Sequence, residues 1–202
     1  MTVVFPLPDH LDGRPAVLSD GFHTLDDVKA RRARRQHRGG DFMYRRRARA
    51  EHPQHPYGSP WYEVPLPAEL GGYDVPVLAP ETSGVVLAED SPTGWWVVLE
   101  LGEGRAVACH HMRSVLVVPG AVVGAGTPLG ILGGSPRAVD YGLWHLHFDR
   151  AEGVGLDVAR MRRDNRIDGH FVDPLPYLAS ARHVLLADVP GGFGDIVPRG
   201  VA

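Results

Sequence analysis

The sequence predicts a mainly β protein with few short helices, and three observations carry that expectation. Gly and Pro number 25 and 18 of 202 residues and are spread throughout, which favours short strands and turns over long helices. From Val75 onward, runs rich in β-branched and aromatic residues alternate with turn signals. Cys109 is the sole cysteine, so no internal disulfide can staple the chain, and a core, with or without a bound metal, must hold it. A chain of this length can bury roughly two thirds of its unfolded surface, enough for one domain with a true core.

Taken in order, residues 1–23 are rich in Pro, Asp and Gly and read as an extended lead-in with room for one strand. Thr24-Leu25-Asp26-Asp27 resembles a capping box, with acids in the first turn and Arg at the far end, which predicts a short helix to about Gln36, stopped by Gly39 and Gly40. Residues 45–72 combine an Arg cluster with Pro- and Gly-rich stretches and read as a long surface loop. Strands are predicted at Gly84–Ala88, Trp95–Leu101, Arg105–His110, Val115–Val118 and Leu129–Leu132, separated by Ser91-Pro92-Thr93-Gly94, Gly102-Glu103-Gly104 and Pro119-Gly120. A polar, Arg-rich insertion runs to Gly169, and order returns at Phe171–Leu178. There are no internal repeats and no sign of a second domain: residues 1–202 read as one domain, with a core of about 34–180, a lead-in of 1–33 and a tail of 181–202.

The net charge of -3 hides an uneven distribution. Lys29 and nine Arg, in the run from Arg31 to Arg49, crowd into a stretch whose one acid is Asp41. Such a run is either a solvated face or a patch that attracts an anionic polymer. Apart from Phe42 and Tyr44 it lacks interleaved aromatics, and it has no reader motif, so it gives no support to nucleic-acid binding. The N-terminus shows no basic stretch followed by an apolar run, hence no secretory signal is expected, and no segment is apolar enough to span a membrane.

Three short segments carry chemistry. In His145-Leu146-His147-Phe148 the two imidazoles share one side of an extended strand and the two apolar residues the other. Packing accounts for Leu146 and Phe148; the imidazoles are either a surface pair or ligands. His37-Arg38-Gly39-Gly40-Asp41 sets an imidazole and a carboxylate four residues apart across glycines that permit close backbone approach. Catalytic zinc takes three N or O protein ligands and leaves a fourth position for water, and His37, Asp41 and one strand histidine would supply such a set. His110-His111-Met112 is the third segment; neighbours on a strand face opposite ways, so only one of the two histidines is expected to reach a shared site. His10, His23, His52, His55, His170 and His183 read as surface or structural histidines.

Together and in order, HRGGDF (37–42), VLAPETSGVV (77–86), ACHHM (108–112), VVPGAVVGAGTPLGILGG (117–134), WHLHFD (144–149) and VDPLPYL (172–178) resemble the lysostaphin and LytM group of zinc metalloendopeptidases, which cleave peptide bonds in bacterial cell-wall cross-links. The resemblance covers about residues 34–180. It implies a compact antiparallel β-sheet domain, sandwich-like, with a groove across the sheet. It also implies one zinc ion held by His37, Asp41 and His147, with His145 and His111 activating the attacking water and stabilising the carbonyl oxygen, His145 being preferred as general base. Cys109 stands where the group often has Tyr, and the inserts at 45–73 and 150–170 are its own.

The implied substrate is a peptidoglycan stem peptide or cross-bridge, with the Arg31 to Arg49 run offering guanidinium contacts to carboxylates or anionic wall polymers. The implied place of action is outside the cytoplasm on the cell wall, either in the periplasm or wall or by phage- or particle-borne delivery; no signal peptide is visible in this sequence, which a shortened chain would also explain. The alternative is a catalytically inactive module of the same type that binds walls or serves as a scaffold.

Overall fold

Alternating apolar residues need partners on both edges, and here they find them in a single sheet. The computed structural model describes residues 2–9, 15–27, 36–43, 74–133, 145–153, 156–158, 161, 170–191 and 193. Among these lie ten strands: β1 (Val17–Asp20), β2 (Gly39–Met43), β3 (Pro76–Leu78), β4 (Ser83–Ser91), β5 (Gly94–Gly102), β6 (Arg105–Val115), β7 (Val122–Val123), β8 (Pro128–Leu132), β9 (Leu146–Glu152) and β10 (Phe171–Val172). They pair in the order β1-β2-β9-β6-β5-β4-β7, with β10 on β9 and with β8 joining β3 to β6. The pairings between strands are antiparallel. The expected mainly β architecture is thus what forms, and the helical content is small: residues 25–27, one turn at Leu175–Leu178 and a 3-10 turn at Leu186–Asp188.

The sheet has two unlike faces because its strands alternate. Val97, Leu99, Val107, Cys109, Leu146 and Phe148 point into the main core, where Phe5, Leu7 and Phe42 meet them. Trp96, Val98, Ala106, Ala108, Ala151 and Phe171 form a smaller cluster. On β9 the same alternation sets His147 and Asp149 apart from Leu146 and Phe148. The turn at Leu175–Leu178 closes over the main core through Leu178, and Tyr177 stacks on Phe148.

Strand β6 breaks the alternation once. Its register against β5 passes from Val97↔Cys109 to Trp95↔Met112, so His110 and His111 together oppose Trp96. This is a β-bulge, and His111 takes the left-handed backbone it requires, with φ of 63°. Met112 consequently packs in the same cluster as Val107 and Cys109, one position later than strict alternation would have it.

Several local expectations are revised. The segments Arg105–His110 and Val115–Val118 were expected as separate strands; instead β6 is continuous to Val115, because beyond the bulge it changes partner from β9 to β8. Gly39 and Gly40 do not stop a helix but begin β2. The capping box at Thr24 forms, with reciprocal bonds between Thr24 and Asp27, while the predicted helix beyond Asp27 as far as position 35 lies outside the described residues. The loop at 45–72 and most of the insertion before Gly169 also lie outside them. The lead-in is more than an approach: besides β1 it buries Val4, Phe5 and Leu7 and bridges to Arg182 and Leu185.

Candidate metal centre

The antiparallel register of β2 on β9 brings two distant segments into one cluster. Asp41 lies directly opposite His147 and Gly39 opposite Asp149. With two residues per strand repeat, Gly39 and Asp41 share the face of His147 and Asp149, while Phe42 turns to the core. His37 continues this line in extended backbone, bridged to His23. Its Nδ1–H donates to the Gly21 carbonyl at 2.7 Å, which leaves Nε2 to face the cluster.

Gly39 is what allows this pairing to be so close. A Cβ there would meet the Phe148 carbonyl oxygen and the Asp149 carboxylate, at 2.6 Å from the latter's Oδ1. The close backbone approach anticipated for the Gly39-Gly40 pair therefore has a specific cause, and Gly39 supplies it.

Within the cluster, His147 Nδ1 is 2.8 Å from Asp41 Oδ1 and 3.1 Å from His37 Nε2, and His37 Nε2 is 3.3 Å from the same Asp41 oxygen. Donors about 2.0 to 2.1 Å from a tetrahedral ion stand about 3.3 Å apart, so these edges suit a small divalent cation after slight adjustment. His145 Nε2 lies 3.7 Å from Asp41 Oδ1. The His111 ring is 4.7 Å from that of His145 and 6.0 Å from that of His147, and its Nδ1–H donates to the Thr93 carbonyl at 2.9 Å. All five residues line an open cavity of about 580 Å³, together with His110, Arg38 and Thr93.

The electrostatics follow from burial set against close charges. Burial resists ionisation of Asp41, but hydrogen bonds from His147 and His37 overcome it and hold the carboxyl well below its usual range. Burial likewise opposes a charge on His147; the field and hydrogen bond of Asp149, joined by Asp41, win and push it up to about 10. His37 is raised as well, burial being outweighed by Asp41. At His111 burial dominates, and with His145 close by it is pushed down to about 3. His111 is therefore neutral at ordinary pH, with its Nε2 lone pair free of the bond to Thr93.

The motifs leave three groups of this face without a role: Asp149, Arg38 and His110. Asp149 is fully buried and receives His147 Nε2–H at 2.7 Å, His110 Nε2–H at 3.0 Å and Arg38 Nε–H at 2.8 Å. Arg38, a member of the basic run, is thus engaged inside the fold, and its guanidinium also lies over the Phe171 ring. The expectation that only one of His110 and His111 would reach the site is corrected: both line the cavity, because the bulge puts consecutive residues on one face. A signal for this stood in the sequence, where apolar positions run Val107, Cys109 and then Met112, a spacing of two followed by three. Among the described residues two groups of three have ligand atoms mutually within 4.8 Å: His37, Asp41 and His147, and His110, His147 and Asp149.

This arrangement can be set beside known proteins. Residues 68–158 match the model of peptidase family M23. That stretch, 91 of the 202 residues, is similar to this peptidase family. The match includes His110, His111, His145, His147 and Asp149 and begins after His37 and Asp41. The resemblance to the lysostaphin and LytM group agrees with it. Solved structures share the fold of this chain. A structure of the SpoIIQ-SpoIIIAH pore forming complex aligns with TM-score 0.53 at 18% identity, covering 87% of this chain and 90% of that one. The catalytic domain of lysostaphin from Staphylococcus simulans aligns with TM-score 0.50 at 19% identity, covering 82% and 93%. LytU gives 0.51 at 18%, covering 82% and 86%. No curated protein matches the chain.

Proposed function

We propose that this chain is a zinc-dependent metalloendopeptidase that hydrolyses peptide bonds in peptidoglycan stem peptides or cross-bridges, as one peptidase domain acting outside the cytoplasm. The observation that carries this reading is the convergence of His37 Nε2, Asp41 Oδ1 and His147 Nδ1, within 3.3 Å of one another, at an open cavity that His111 and His145 also line. Two imidazoles and one carboxylate are the donor set of a catalytic zinc site that keeps a position open. Bound there, zinc would polarise a carbonyl and make water a stronger nucleophile.

The chain's own groups divide the proton work. His111, with Nδ1–H committed to the Thr93 carbonyl, offers Nε2 as acceptor for the proton of the attacking water. His145, with its Nε2 3.7 Å from the Asp41 carboxylate, donates to the carbonyl oxygen as negative charge develops. This division is the reverse of the one preferred from the motifs. Asp41 serves doubly, as ligand and as the carboxylate that steadies both rings. The wall polymer contact assigned to the Arg31 to Arg49 run is kept as part of this proposal for the arginines other than Arg38.

The second reading, an inactive wall-binding or scaffold module, has the SpoIIQ-SpoIIIAH likeness in its favour, since that structure aligns no less well than lysostaphin. The intact set of five polar residues favours the enzyme. Digestion of purified peptidoglycan by wild type and His147→Ala, with mass spectrometry of the fragments, tests the proposal and names the bond. Fragments released by wild type alone are expected; wall binding without cleavage by metal-replete protein would support the module.

A further inference from the structure

The proposed reaction uses five residues and leaves three polar neighbours unused: Asp149, which is buried, and His110 and Arg38, which reach the cavity. Asp149 is wholly buried and does not line the cavity, whereas His37, Asp41 and His147 do. Its Oδ1 accepts from His147 Nε2, and its Oδ2 accepts from both His110 Nε2 and Arg38 Nε. His110 is held in turn by its stack on Trp96, ring centroids 5.0 Å apart and nearly parallel.

We infer that Asp149 is a positioning residue: clamped by His110 and Arg38, it takes the Nε2–H of His147 and so dictates that Nδ1 is the nitrogen offered to the cation beside His37 and Asp41. This rests on the metallopeptidase reading. A neutral imidazole has one N–H and one lone pair, so committing the proton to Nε2 commits the lone pair to Nδ1. A carboxylate on the far side of a ligating histidine also makes the ring a better donor and fixes its plane. The clamp explains residues that the reaction does not use. Arg38 offsets the charge of a fully buried carboxylate, His110, directly opposite His147 in the β6–β9 register, brings a second imidazole to it, and Gly39 leaves the space that the carboxylate fills.

The other reading of the same atoms is a second cation held by His110, His147 and Asp149. Two observations weigh against it. The Arg38 guanidinium, 2.8 Å from Asp149 Oδ2, already brings a positive charge to the oxygen such an ion would need. His147 would also have to give up both ring protons to bridge two ions.

The test is zinc binding by the full chain, stripped of metal and titrated against a chromogenic chelator, for wild type, Asp149→Ala, Asp149→Asn and His110→Phe. Wild type should bind one zinc. Asp149→Ala should bind it about 10- to 100-fold more weakly. Asp149→Asn, whose amide oxygen still accepts from Nε2–H, should recover part of that loss, and His110→Phe should lose less than Asp149→Ala while keeping the stack on Trp96. Imidazole ¹⁵N spectra of the zinc-loaded wild type should show His147 protonated at Nε2, a signature that mere structural support would not produce.

Zinc affinity within about two-fold of wild type in both Asp149→Asn and His110→Phe, with His147 not protonated at Nε2, would overturn the inference even if Asp149→Ala does not fold. Two zinc ions per wild-type chain would overturn it in favour of the second site. A folded wild type that binds no zinc would instead sink the metallopeptidase reading beneath it.

Discussion

Adding one methyl group at Gly39 should disable the proposed metal centre without touching a proposed ligand. An alanine Cβ would stand 2.6 Å from Asp149 Oδ1, against an ordinary contact of 3.4 Å or more, and closer still to the Phe148 backbone carbonyl. Backbone cannot swing aside as a side-chain tip can, so β2 must withdraw from β9 by about 1 Å. Asp41 lies two residues along the same strand and its bond to His147 is 2.8 Å long, so most of that displacement appears between the ligands. Metal sites tolerate about 0.2 Å in a ligand distance, so zinc should bind about 10-fold or more weakly. Overpacking of this kind also costs about 1 to 3 kcal/mol of stability. Gly84→Ala is the matched control, since a Cβ there meets nothing within 4 Å, and it should leave zinc affinity unchanged and stability equal or slightly raised. Chelator competition and urea denaturation of both variants measure these effects. If Gly39→Ala matches Gly84→Ala in both assays, the reasoning that strand contact sets the ligand geometry is wrong.

Further outcomes follow from the same geometry. His111→Gln and His145→Gln should each lower turnover on wall peptides by about 10² to 10⁴-fold while zinc content by atomic absorption stays near wild type. Zinc affinity should rise with pH, because His147, raised to about 10, must shed the Nδ1 proton to bind, and His37, also raised, adds to the effect. The slope approaches tenfold per pH unit for each proton displaced, checked by competition titrations from about pH 6 to about pH 9. In the metal-free protein the sign is opposite: a raised histidine pKa contributes stability that is full below the unfolded value of 6.5 and lost as pH rises through about 10, so chemical denaturation should show metal-free stability declining at alkaline pH. Cys109 is fully buried with its thiol pushed up by burial and by Asp149, so a thiol reagent should label it only at the rate of global unfolding.

Much of this was readable along the chain, and what was not has a common cause. The strands of the middle region were legible because period-two alternation is a local property: Trp95–Leu101 and Leu129–Leu132 fall inside β5 and β8. So was the shared face of His145 and His147, and the capping box at Thr24. Gly39 was misassigned because the residue that stops a helix is also the one that lets two strands close on a carboxylate, and only the partner strand distinguishes the two uses. Arg38 was read as one charge in a run, since its mate Asp149 lies far along the chain.

By itself the order of residues determined the β architecture, the resemblance to a peptidase group and the kinds of side chain that could grip a cation, because these depend on composition, periodicity and motif. The tertiary structure alone decided that Asp41 faces His147 across the β2–β9 ladder, that a left-handed turn at His111 sets two adjacent imidazoles on one face, and that Asp149 sits beneath them. Register and bulge are settled by the total burial of both strands against the core and not by any short stretch of sequence, and the chemistry of this site depends on both.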